Sequence, residues 1–176
     1  MVDLVRAVAV RIYGTQVEVL GVGPIGHGDL DEMPSNDALF VAAHSWALDT
    51  ATLLTVVAGD DTSIQATAPF ASAAGLLAMK LHAVEDRRSA GLDKRAGDAW
   101  DIYRLLLDLD VDSSIRTALT AAPRDLRLLV RAAAERVLVT DATRTQGWLR
   151  AGDEAMATIT AVDLRYVGQP LVEALG

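Results

Sequence analysis

The chain has 176 residues, 51% of them apolar, with no cysteine and a net charge of −8 at neutral pH. That length and apolar share suit one medium globular domain with a real core, and the lack of cysteine rules out disulfides and thiolate metal sites. The acidic balance argues against holding nucleic acid by bulk electrostatics; no run approaches the roughly 18 apolar residues of a membrane span and no basic-then-apolar signal opens the chain, so a soluble, cytoplasmic protein is expected.

The first 68 residues read as β-rich. Val8–Tyr13 and Gln16–Leu20 are β-branched runs separated by Gly14-Thr15, a hairpin pattern. A loop rich in Gly, Pro, His and Asp follows over Gly21–Asn36. Ala38–Ala42, Leu53–Val57 and Ser63–Thr67 are further strand expectations, the last two joined by the turn-like Gly59-Asp60-Asp61. From Pro69 the character turns helical. Ser72 is placed to cap a helix running to Arg88 and Asp93 a second one running to Asp108. Helices are also expected over Ser113–Ala121, Pro123–Val139 and Asp153–Leu164, with a short terminal segment Leu171–Leu175. The layout is an α+β, two-layer plan: a β-rich region over 1–68 with a mixed sheet, then a helical bundle over 69–176.

Only two lysines, Lys80 and Lys94, stand against fourteen arginines, and both fall in Pro69–Leu109. In an Arg- and Ala-rich composition, a retained lysine marks a place for a compact, flexible ammonium rather than a planar fork. On the second helix of that stretch, Ile102, Leu105 and Leu109 share an apolar stripe. At about 100° per residue, Lys94, Asp98 and Asp101 fall on the same stripe, one to two turns earlier. Ionisable groups on an inward face are costly unless they pair, bind a ligand or line a wet cleft. On the first helix Leu77, Leu81 and Val84 make the stripe, flanked by Lys80 and Arg87. A helical hairpin would then bring Lys80 and Arg87 toward Asp98 and Asp101. The result is either a structural ion pair or a phosphate-facing lysine held by an orienting aspartate. Trp100, Tyr103 and Leu107, on the other side, are expected to pack on the C-terminal helices. Arg87, Arg88, Lys94 and Arg95 form the densest positive cluster.

The run Leu77-Ala78-Met79-Lys80-Leu81-His82-Ala83, then Arg87 or Arg88, Lys94-Arg95 and Asp98-Ala99-Trp100-Asp101-Ile102, resembles the C-terminal half of the AbiEii-type nucleotidyltransferases. These are toxin components of some bacterial toxin–antitoxin pairs, related to the MenT toxins. Val17-Glu18-Val19-Leu20 looks like the strand that carries that family's third acid. The resemblance implies a nucleotidyltransferase sheet packed on a helical domain. It also implies transfer of a nucleotidyl group from a magnesium-bound nucleoside triphosphate to an acceptor, tRNA in some relatives. By the same resemblance Lys80 sits on the phosphates, while Asp98 and Asp101 orient it or assist acceptor activation. Arg87, Arg88, Lys94 and Arg95 line the phosphate or RNA path, and Glu18 is a carboxylate on the Mg2+ side. A cognate antitoxin protein is an implied partner.

The family's first motif, a Gly-Ser turn followed by D-x-D on a strand, belongs ahead of Glu18, and the residues before Gln16 do not spell it. Asp29-Leu30-Asp31 has the D-x-D spelling but comes after the third-acid strand and reads as a loop turn. The alternative expectation is therefore a non-catalytic remnant or interaction module that binds an antitoxin or partner subunit. Elsewhere, His27, His44 and His82 are scattered, the first two in or near loops, without metal-ligand spacing. Gly21–Gly26 lacks the following helix of a dinucleotide loop, and no nucleophile elbow supports Ser-His-Asp catalysis. The arginines of Pro123–Val139 read as a solvated face.

Overall fold

A computed structural model describes the backbone of residues 7–12, 15–20, 30, 32–58, 61–86, 92–152 and 154–176, and the side chains of 30, 32–55, 67–86, 94–152 and 154–176. Strand β1 (Ala7–Ile12) pairs antiparallel with β2 (Thr15–Leu20), Ala7 opposite Leu20 and Ile12 opposite Thr15. Helix α1 (Ser35–Asp49) follows, then β3 (Thr52–Ala58) paired antiparallel with β4 (Asp61–Phe70). The rest is helical: α2 (Ala73–Asp86), α3 (Leu92–Asp108), α4 (Ser114–Thr120) and α5 (Arg124–Ala134), a π-helical turn (Glu135–Thr140), then α6 (Ala142–Leu149), α7 (Glu154–Ala157) and α8 (Ala161–Leu175).

The α+β class stands, but the mixed sheet does not: the described strands form two separate two-stranded antiparallel sheets. Ala38–Ala42, expected as a strand, lies inside α1. Its residues read as β because of Phe40 and Val41, yet Ala38, Leu39, Ala43 and Ala47 all turn inward against the bundle. The expected boundary at residue 68 falls within β4, and α1 brings Leu39 and Ala43 into the same core as the later helices.

That core is a single cluster. Leu77, Leu81 and Val84 of α2 meet Ile102 of α3, Leu119, Leu126, Leu138, Leu149, Leu164 and Leu171 at 0–2% exposure; each such side chain contributes about 1.5–3 kcal/mol through burial. Helices α1 and α2 approach closely because Gly75 faces Ala47: a Cβ there would lie 3.0 Å from the Ala47 Cβ. Ser72 caps α2 as expected, its hydroxyl accepting from the Gly75 N–H at 3.1 Å. The start of α4 is fixed by Asp110, 4% exposed, which accepts from the backbone N–H of Ile115 at 2.9 Å and from the Arg116 side chain.

Two departures from expectation lie at the C-terminal end. Asp153–Leu164 is not one helix: α7 ends at Ala157, and Thr160 opens α8 with a capping box, its N–H bonded to Asp163 at 2.9 Å while its hydroxyl accepts from the Asp163 N–H. From there α8 runs unbroken to Leu175, with Pro170 inside it. Proline forfeits one hydrogen bond, to the carbonyl four residues back, and that residue, Tyr166, is 75% exposed, so water can serve the carbonyl. Second, the helix expected over Pro123–Val139 widens into the π turn, where the Asp141 N–H reaches the Arg136 carbonyl at 2.8 Å, five residues back. The loosened carbonyls are taken up from outside: Thr145 donates its hydroxyl to Val137 at 2.7 Å, and Arg165 donates its Nε to Val139 at 3.2 Å. Gly168 of α8 lets the turn dock, since a Cβ there would stand 2.4 Å from the Leu138 Cβ.

Candidate functional site

Helices α2 and α3 pack on each other, and their apolar stripes set the depth of the charges beside them. Lys80 follows Leu77 by three positions and precedes Leu81, both fully buried, so its stem lies along the core edge. On α3, Asp98 and Asp101 are one turn apart and lead into Ile102 and Leu105, also buried. The three charges converge. The Lys80 ammonium donates to Asp98 Oδ1 at 2.9 Å and lies 2.7 Å from Asp101 Oδ2.

The members differ in their access to water. The Asp98 side chain is 5% exposed, Lys80 27% and Asp101 47%. Burial works against the charge on Lys80, but the hydrogen bonds to Asp101 and Asp98 outweigh it and hold the pKa above the ordinary lysine value. Lys80 is therefore a fixed cation at any physiological pH. It has no role as a general base; what it can do is hold an anion or neutralise developing negative charge.

Of the other expected site residues, Arg87 and Arg88 lie outside the described residues. Lys94 is exposed on the first turn of α3. Arg95 is corrected: at 7% exposure it does not line an open path, and its guanidinium lies 4.9 Å from the ring centre of Trp148, a cation–π seat between α3 and α6. The backbone of Glu18 sits in β2 opposite Ala9, with its side chain outside the described residues, as are Asp3, His27 and the glycine loop. A resident magnesium site does not fit the acids that are described. Asp98 and Asp101 have an ammonium between them, and no group of three His, Cys, Asp or Glu among the described residues could hold a metal ion.

Trp100 and Tyr103 pack against the core as expected, their rings stacked at 6.2 Å, while Leu107 is 39% exposed and Leu109, expected on the inner stripe, is 56% exposed. One cluster leaves almost no mark on the sequence. His44, placed in helix α1 rather than a loop, lies 6.3 Å from His82 of α2, with the Phe40 ring 4.2 and 5.0 Å from the two imidazoles. His44 Nδ1 bonds the Phe40 carbonyl at 2.7 Å. Burial holds both histidines below their ordinary pKa. Nearby, Glu85 takes two bonds from Arg136, at 2.6 and 2.8 Å, tying α2 to the π turn. The only sequence signal for the histidine cluster is the four-residue spacing of Phe40 and His44, which becomes informative once α1 is known to be a helix.

Among the described residues no helix is long and apolar enough to cross a membrane. Compared with protein families, with curated proteins and with solved structures, the chain matches none.

Proposed function

We propose that this chain is a nucleotidyltransferase-family domain of the AbiEii toxin type, acting in the cytoplasm on a magnesium-bound nucleoside triphosphate. The observation that carries the reading is the Lys80–Asp98–Asp101 constellation: a permanently charged ammonium at the edge of a core, fixed on one side by a buried carboxylate and open to water on the other. A cation so held suits a polyphosphate, because its position is set before the ligand arrives. The reaction is attack of an acceptor oxygen, such as a tRNA hydroxyl, on the α-phosphorus, with a new P–O bond formed and pyrophosphate leaving. Lys80 would neutralise charge on the phosphates, and Asp98 would hold Lys80 in place. Magnesium enters as part of the substrate, Mg–NTP; no step is assigned to a resident metal.

Calorimetric titration of Mg–NTP into the full chain, with Lys80→Met as control, tests the proposal. Saturable binding lost in the variant supports it, and transfer of a labelled nucleotide to RNA would follow. Absence of binding in both would sink it. A second reading, a non-catalytic module that binds an antitoxin or partner subunit, is favoured by one feature: β3 and β4 leave Leu53, Leu54 and Phe70 at 70, 47 and 43% exposure.

A further inference from the structure

The two aspartates on Lys80 are not equivalent. Asp98 sits at 5% exposure, so moving its carboxylate off the ammonium would leave a buried charge without its counter-ion, a costly event. Asp101 is 47% exposed and can turn into water at little cost, because half-solvated ion pairs contribute little. Its Oδ2 lies 2.7 Å from the ammonium, the distance at which a phosphate oxygen would also be held. Of the three donors a lysine ammonium carries, two therefore face carboxylates of unequal permanence.

We propose that Asp101 is a placeholder for phosphate: its carboxylate occupies on Lys80 the position that a phosphate oxygen takes in the complex, and it swings out to solvent when a polyphosphate binds. This rests on the function proposed above. The buried Asp98 keeps the lysine aimed in both states, while Asp101 lowers affinity for anions in the empty state. It does so because a carboxylate a few ångströms from an incoming phosphate repels it. The sign is opposite to the expected orienting role. If Asp101 oriented Lys80 for catalysis, removing its charge would weaken binding; as a placeholder, removing it strengthens binding.

The test is calorimetric titration of inorganic tripolyphosphate, with and without magnesium, into the full chain and its Asp101→Asn, Asp101→Glu, Asp108→Asn and Lys80→Met variants. Asp101→Asn is expected to bind magnesium-free tripolyphosphate about 3- to 30-fold more tightly than the parent, from loss of one nearby charge in a half-solvated site. Asp101→Glu, which keeps the charge, should stay close to the parent. Asp108, exposed further along the same helix and bonded to Arg104, controls for net charge, and its variant should bind like the parent. Lys80-dependent binding that is unchanged or weakened by Asp101→Asn would overturn the placeholder and leave the nucleotide site standing. A gain of equal size in Asp108→Asn would also overturn it, as bulk electrostatics. Loss in Asp101→Asn confined to the magnesium titration would overturn it in favour of a metal-side role. Absence of Lys80-dependent binding in every variant would overturn the placeholder and the proposed function together.

Discussion

Replacing Lys80 by methionine keeps most of the alkyl stem on the core edge and deletes only the charge. Asp98, at 5% exposure, then loses its ammonium. Breaking a fully buried pair costs about 3–5 kcal/mol, but Lys80 is 27% exposed, so water entering the vacated space relieves part of the penalty. The expected cost of Lys80→Met is about 1–3 kcal/mol, against less than about 1 kcal/mol for Asp101→Asn, whose partner is half in solvent. For a chain of this size about 2–4 °C of melting temperature corresponds to each kcal/mol, so Lys80→Met should melt roughly 3–10 °C lower. Urea unfolding at pH 7.5 checks the free energy, and calorimetry checks the melting point. pH dependence supplies a second readout. Because the folded-state pKa of Lys80 is raised above 10.5, the ion-pair stabilisation is whole below that value and is lost only as pH rises through the folded value. The gap between parent and variant should hold from neutrality into mild alkali and close only beyond it. A Lys80→Met variant within about 0.5 kcal/mol of the parent, below the range a broken half-buried pair gives, would refute the reasoning.

Gly168→Ala should cost about 1–3 kcal/mol, since the new Cβ would stand 2.4 Å from the Leu138 Cβ and neither atom can rotate away; an unchanged urea midpoint would show that α8 can shift off the π turn. Burial lowers the pKa of both His44 and His82, so between their folded values and 6.5 the unfolded chain binds more protons. Their contribution to stability is present above 6.5 and is lost as pH falls toward the folded values. The urea midpoint should therefore drop from pH 7.5 to 5.5, and drop less in a His44→Gln/His82→Gln double variant; an equal drop in both proteins would assign the acid sensitivity elsewhere.

Much of the charged cluster is legible in the sequence, because a helix imposes a strict period. Given that Ile102 and Leu105 face inward, Asp98 and Asp101 have to lie near that face, and the short connection after α2 leaves Lys80 as their partner. The hairpins are legible for the same kind of reason, alternation and turn residues; β1–β2 and β3–β4 both form where expected. Helix α1 is not legible. Its residues are apolar on nearly every side, so neither the helical nor the strand period stands out, and Phe40-Val41 tilts the local preference toward a strand. At Pro170 the local rule says stop, but burial of Leu164, Val167, Leu171 and Leu175 along one face of α8 outweighs one forfeited hydrogen bond. The depth of Arg95 depends on where Trp148, more than fifty residues away, comes to rest. Local pattern carries no such information.

The π turn also sets a limit on chain length. A helix widens in this way when it accommodates one residue more than its α-helical path needs. Deleting a single residue between Glu135 and Thr140 would let the segment relax to a plain α-helix. Everything after it would then rotate by about 100° and move about 1.5 Å relative to α5. The Thr145 hydroxyl would leave the Val137 carbonyl, and Leu138 would no longer sit in the hollow over Gly168. Conservative substitutions inside this stretch should thus be better tolerated than any change in its residue count. In a scan of single-codon deletions the segment should stand out as sharply intolerant, whereas the exposed connection around Val111 and Asp112 should absorb a change of length.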